Sequence, residues 1–418
     1  MIAYLLLRKV LKKQFFLKDI AIFVAIFLYP IGILIPHWYE FGINIKGKYL
    51  YYEDFLSFFA FSYIILNLAV KYKLVLNRQI LLVFTIVILG ILTAFINGNS
   101  ILYLLKDIRI PFYIIVTTIF FFMIHKYITL KEVLLSIKVY IIVSVLYFIM
   151  ILYSYLFKTF LYLYRDEVLS LGLDRLSYGN EISIFILTTV VIIFKKEKLI
   201  KSYWLFPLIL QNFIYIITSL RRAFIIFLFA NFYLYVKNII LLNFSKGIRV
   251  LAISVVFIFV FIMAIIFLGK RISLEEGSLA TRLFSYFYNI EMVITNHPIL
   301  GYGLGSVMLV TKKNIGGFDL EKNFVDSSII TSIYKFGIIF GSAYLISIFI
   351  IFKRFVKCLK EKNIILSVLF AFSIFSSYLI TAQREIIYIL ELLMFLSIKC
   401  KYEVVEIEKS NVYIWNKT

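Results

Sequence analysis

Apolar runs long enough to cross a hydrocarbon layer follow one another along most of this 418-residue chain, with short polar segments between them. Read as helices, they fall at about 19–36, 54–70, 79–96, 110–125, 133–157, 180–194, 203–218, 223–236, 250–268, 327–352, 364–381 and 385–398, twelve in all. One long polar interruption breaks the series, Gly269 to Asp326. Within it Leu283, Phe287, Ile290 and Ile294 recur at spacings of four, three and four. That period predicts an amphipathic helix with Arg282, Asn289 and Asn296 off its apolar face, lying on a membrane surface or capping a cavity between spans. His297-Pro298 ends it, because a residue before proline is pushed out of the helical region. Gly301, Gly303 and Gly305 then allow a close turn and offer backbone N–H groups to an anion.

Composition confirms the class that the pattern suggests. Hydrophobic residues make up 63% of the chain, and the mean hydropathy is +0.98, far from the range of soluble domains. The expected fold is therefore an all-α polytopic membrane protein, one transmembrane domain over residues 1–418. The net charge of +21 does not point to nucleic acid. Lys and Arg concentrate in short loops such as Lys195–Lys201 and Lys353–Lys362, and the positive-inside bias then places both termini in the cytoplasm and residues 269–326 outside. Residues 1–18 are basic and amphipathic, which suits an uncleaved interfacial segment on the inner leaflet. Cys358 and Cys400 both fall on the cytoplasmic side of this topology, so no disulfide is expected. Lys335 and Glu391 lie within spans at similar depth, and an ion pair between them, structural or catalytic, is expected.

Candidate chemistry sits on the outside. Arg109, Arg165, Arg175, Arg221, Arg222, Arg271, Arg282 and Arg384 all fall there, mostly at span ends. Guanidinium forks match phosphate oxygens, so a pyrophosphate at the interface would suit them; snorkelling to lipid headgroups is the alternative. Asp326 opens the tenth span with Ser327 and Ser328, where it is either a helix cap or a general base for a sugar hydroxyl. His297 is either a polar helix end or a functional group. The three histidines are scattered, no metal-ligand spacing occurs, and neither a nucleotide-binding loop nor a dinucleotide fingerprint is present. No cofactor is implied, and any reaction needs a substrate that arrives already activated.

Several motifs in order resemble the O-antigen polymerase and O-antigen ligase superfamily. They are Ser219-Leu-Arg221-Arg222-Ala223, then Arg282 with Asn296-His297-Pro298-Ile-Leu-Gly301-Tyr-Gly303-Leu-Gly305-Ser306, then Asp326-Ser-Ser with Lys335-Phe-Gly337. Asp174-Arg175-Leu-Ser-Tyr-Gly179-Asn180 is a weaker fourth match. The resemblance implies a C-type glycosyltransferase architecture in a bacterial cytoplasmic membrane. It also implies metal-independent transfer of a glycan from undecaprenyl pyrophosphate on the extracytoplasmic side. Arg221, Arg222 and Arg282, with Arg175 and Arg384, would hold the pyrophosphate, and Asp326, with His297 nearby, would orient or deprotonate the acceptor. Asp326 stands where ligases carry His, which favours a polymerase, with membrane lipids and a chain-length regulator as its expected partners. A ligase or a lipid-linked oligosaccharide flippase is the alternative, the latter disfavoured by the absence of related halves.

Overall fold

The computed structural model describes residues 14–34, 43–45, 48–71, 77–156, 164–168, 173–177, 181–219, 230–237, 276–311, 320–322, 324–325, 327–375, 379–380 and 385–415. Helices dominate: α1 (Gln14–Phe23), α2 (Tyr52–Lys71), α3 (Arg78–Ile96), α4 (Ile101–Ile124), α5 (Leu130–Leu156), α6 (Glu181–Lys196), α7 (Phe206–Ser219), α8 (Glu276–Asn296), α9 (Ser328–Phe355), α10 (Lys362–Phe375) and α11 (Ile386–Trp415). Past α1 the chain stays helical through a π-helical turn, Val24–Leu28, and Tyr29–Ile31. Three short antiparallel hairpins occupy connecting segments: β1–β2 (Ile43–Ile45, Lys48–Leu50), β3–β4 (Tyr164–Val168, Leu173–Ser177) and β5–β6 (Met308–Thr311, Leu320–Lys322).

Four described helices are long and apolar enough to cross a membrane: Arg78–Ile96, Ile101–Ile124, Leu130–Met150 and Ser328–Phe355. The protein is a membrane-embedded helical bundle on that ground. Local signals open several helices. Asn77 accepts the Gln79 N–H at 3.1 Å to cap α3. Thr129 and Glu132 bond reciprocally ahead of α5, at 2.6 and 3.3 Å. Ser327 accepts from the Ile330 N–H at the start of α9.

The run expected at 110–125 starts nine residues earlier, at Ile101, and Arg109 is part of that helix. The charges that made residues 101–109 read as a loop are matched inside the fold. Asp107 meets Lys335, and Arg109 meets Asp54 at 3.2 Å and lies over the Tyr51 ring.

The bundle has two chemically distinct ends. At one, here the loop end, the start of α2 meets α4 through Asp54 and Arg109. The start of α11 meets α2 there through Tyr388 and Glu53, and the end of α3 meets the segment after α8. The opposite end is tied by Lys196–Glu361 (2.8 Å), Lys399–Glu197 (3.2 Å) and His125–Ser397 (3.1 Å). It also carries a disulfide between Cys358 and Cys400, whose Cα atoms are 6.0 Å apart. The expectation that these cysteines stay unpaired is therefore corrected. It rested on the compartment alone, whereas packing of α9 against α11 brings the two sulfurs together.

Burial pushes the Glu361 carboxyl up, but the hydrogen bond and the charge of Lys196 outweigh it and hold the group below its ordinary value of 4.5. With the folded value depressed, the unfolded chain takes up the proton first as pH falls. The pair's contribution, about 1 kcal/mol, is complete above pH 4.5 and lost as pH drops through the lowered value. Thermal midpoints of the purified protein should fall with acidification in that window, and Glu361→Gln should flatten the slope.

Candidate functional site

The glycine segment after α8 is built into the bundle. α9 breaks at Gly337, whose φ of 80° and ψ of 173° are not helical. A break in a membrane helix frees backbone groups that no water can satisfy, so they need protein partners. The carbonyl of Tyr334 accepts the Tyr302 N–H and that of Lys335 accepts the Gly303 N–H, both at 2.9 Å. The Ile338 N–H in turn donates to Pro298 O at 2.8 Å. On the other side, the Leu304 N–H reaches Gly90 O of α3 at 3.1 Å, and Asn99 Nδ2 donates to the carbonyls of Tyr302 and Leu304 at 2.8 and 2.9 Å.

This approach requires glycine on both sides. Gly301, Gly303, Gly305 and Gly337 all have φ between 66° and 80°, a region costly for other residues. A Cβ on Gly301 would strike the Gly337 backbone, one on Gly337 the Ile299 carbonyl, and one on Gly303 the Ala94 backbone.

The glycine N–H groups are already spent. Gly301 donates to His297 O at 3.0 Å, Gly303 to Lys335 O, and Gly305 to the carboxylate of Asp107 at 2.6 Å. The expected anion site therefore belongs to the protein's own Asp107, and no free N–H remains there for a ligand. Asp107 also takes the Lys335 ammonium, which reaches Ser306 O at 3.3 Å as well. Both charged side chains are fully buried. The expected Lys335–Glu391 pair is thus corrected: Lys335 pairs with Asp107, and Glu391 instead accepts the Tyr140 hydroxyl. Helix register alone placed Lys335 and Glu391 at matching depth, but the face of α9 that carries Lys335 turns toward α4.

α8 forms over the expected stretch, with Asn289 off its apolar face. Asn289 faces inward, exchanging bonds with the Leu309 backbone at 2.8 and 3.3 Å, and Ser285 bonds the same carbonyl at 2.9 Å. Leu283, Phe287 and Ile294 are exposed, as the membrane-surface alternative for this helix requires. Hairpin β5–β6 supplies polar backbone to one helix face, and the apolar stripe is left on the outside.

His297 is exposed at the end of α8, its ring edge on Tyr302 at 4.6 Å; Tyr302 stacks on Tyr334 at 4.7 Å. Arg282 is exposed on α8, about four turns before His297. Arg175 sits in β4 opposite Asp166. Arg221, Arg222, Asp326 and Arg384 lie outside the described residues. Ser327, rather than its neighbour, supplies the α9 cap.

A second polar group at the loop end was not anticipated. Asp54 accepts from Tyr113 at 2.5 Å and from the Tyr51 N–H at 2.8 Å, beside Arg109. Glu53 accepts from Tyr388 at 3.2 Å. Glu385 takes the Ser183 N–H and hydroxyl at 2.8 and 3.1 Å, charge-stabilising the start of α6. These carboxylates are buried. Their sequence signal was the adjacency of acids to the start of apolar helices, Glu53-Asp54 in the first turn of α2 and Glu385 just before α11.

Comparison with protein-family models, with curated proteins and with solved structures finds no match.

Removing one partner of the buried pair strands the other. Lys335→Met should cost about 3–5 kcal/mol, read as a lowered thermal midpoint, and Asp107→Asn added to it should recover much of that loss. Gly337→Ala should cost at least about 1–3 kcal/mol from backbone strain alone, and it should release the loop, read as faster proteolysis between α8 and α9.

Proposed function

We propose that the protein is a metal-independent glycosyltransferase that polymerises lipid-linked oligosaccharide repeat units, using undecaprenyl pyrophosphate as the leaving group. In this reading the chain has about twelve spans in a bacterial cytoplasmic membrane, both termini are cytoplasmic, and the loop end faces outward. The observation that carries it is the clustering of functional groups at one end. Glu53, Asp54, Arg109, Tyr113, Glu385 and Tyr388 gather at the end where the polar segment after α8 is docked. The opposite end holds the basic loops.

A glycan transfer of this kind needs cations to take up charge on the departing pyrophosphate and a carboxylate to receive the acceptor's proton. Arg221, Arg222 and Arg282, with Arg175 and Arg384, are assigned to the pyrophosphate. Asp326 is assigned as base; because Ser327 caps α9, capping does not account for it. His297, exposed beside the Tyr302–Tyr334 stack, is placed where a sugar ring could lie against the aromatic face. The exposed stripe of α8 suits the outer leaflet, where the polyprenyl tail also lies.

Purified protein incubated with one synthetic undecaprenyl-pyrophosphate repeat unit should yield a ladder of lengthened lipid-linked glycan. Arg282→Ala and Asp326→Ala should each reduce turnover by about 100-fold or more, with thermal midpoints near wild type. Transfer only to a separate added acceptor would identify a ligase, and lipid scrambling without transfer would replace the enzyme with a flippase.

A further inference from the structure

Glu391 lies on the second turn of α11 and is fully buried. Tyr140 of α5 donates its hydroxyl to Oε2, while Oε1 has no hydrogen-bond partner. Two further orphaned groups belong to the same neighbourhood. The Tyr29 hydroxyl and Thr117 Oγ1 are buried beside each other, neither within full hydrogen-bond geometry of a partner, and Glu391 acts electrostatically on Tyr29, Tyr52 and Tyr140. The Tyr29 ring is held there by Phe120 and Phe121 of α4.

Among the described residues no cation pairs with Glu391; Lys335 is committed to Asp107. An unpaired carboxylate deep in a membrane bundle is costly, and orphaned hydroxyls add to that cost. A carboxyl oxygen and two hydroxyls in one place satisfy the two to four partners that a buried water needs, and a proton on the carboxyl removes its charge.

Further polar side chains lie between this place and the loop end. One turn earlier on α11, Tyr388 donates to Glu53 at the start of α2. Tyr52, the chain neighbour of Glu53, lies within electrostatic range of Glu391, and its hydroxyl donates to Leu28 O at 2.9 Å, next to Tyr29 in the chain. The titratable groups facing Glu391 are therefore Tyr29 after α1, Tyr52 and, further out, Glu53 from α2, Tyr140 from α5, and Tyr388 on its own helix.

We propose that Glu391 is a hydrated, exchangeable-proton site, supplied from the loop end through Glu53 and the tyrosine hydroxyls. A proton from water passes to the Glu53 carboxylate. Each hydroxyl along the route accepts one proton on its oxygen and releases its own, and the last proton rests on Glu391 Oε1. Only O–H bonds form and break, and the carboxylate becomes a neutral acid. Intramembrane acids of this kind serve as proton relays in membrane proteins, so the site gives the bundle a proton-coupled function separate from glycan transfer.

Infrared difference spectroscopy of the protein in nanodiscs tests this directly through the C=O stretch of protonated carboxyls. Wild type should show a band that is lost in Glu391→Gln, changes frequency in Tyr140→Phe, and shifts in D2O. Deuteration should slow in Glu53→Gln but not in Glu132→Gln, which alters an exposed helix cap. Identical spectra for wild type, Glu391→Gln and Tyr140→Phe would overturn the site. A Glu391 band that never shifts in D2O would make it a sealed structural acid, and wild-type exchange in Glu53→Gln would overturn the route. Should Glu391→Gln fail to fold, the Tyr140→Phe frequency change alone decides the assignment.

Discussion

The Asp107 carboxylate has to serve two donors that come from opposite parts of the chain, the Gly305 N–H and the Lys335 ammonium. Neither could remain buried without it. In water such groups would be solvated and the arrangement would be optional. Inside an apolar bundle the choice is between complete internal satisfaction and a penalty of several kcal/mol for each stranded charge. The break at Gly337, the glycines at 301, 303 and 305, and the asparagines after α3 all follow from the same demand. Each supplies or accommodates a backbone partner where the helical ladder of α9 is interrupted.

Polarity is distributed along the bundle axis in consequence. The loop end combines carboxylates, phenols and Arg109, whereas the opposite end is fastened by lysine–glutamate pairs and the Cys358–Cys400 disulfide. Between them, the buried acid Glu391 has the Tyr140 hydroxyl on one oxygen and no hydrogen-bond partner on the other. The rigid fastening at one end and the docked polar segment at the other leave the central polar groups enclosed.

The helical membrane class was legible because hydropathy sums over long runs and is insensitive to detail. Helix starts were legible where capping chemistry is local, as at Asn77 and Thr129. The end of α8 at His297-Pro298 was legible for the same reason. Partner identity was not. Lys335 could be placed at a depth by counting residues, but Asp107 lies more than two hundred residues earlier, in a run that its own charges disguised as a loop. The glycine spacing at 301, 303 and 305 announced a close approach correctly. It could not say that the approaching surface was the backbone of α3, α4 and α9 and not a ligand. On α8, the periodic stripe of Leu283, Phe287 and Ile294 was real, but period alone does not distinguish a face turned to the protein from one left to another apolar surface.

The glycine socket also sets an order of assembly. Its walls, α3 and α4, are made early, whereas the segment that fills it and the lysine that neutralises Asp107 are synthesised some two hundred residues later. Until then the Asp107 carboxylate lacks both the Gly305 N–H and the Lys335 ammonium. The first half of the protein therefore does not contain the donors that complete this socket, and its polar interior is finished only when α9 arrives.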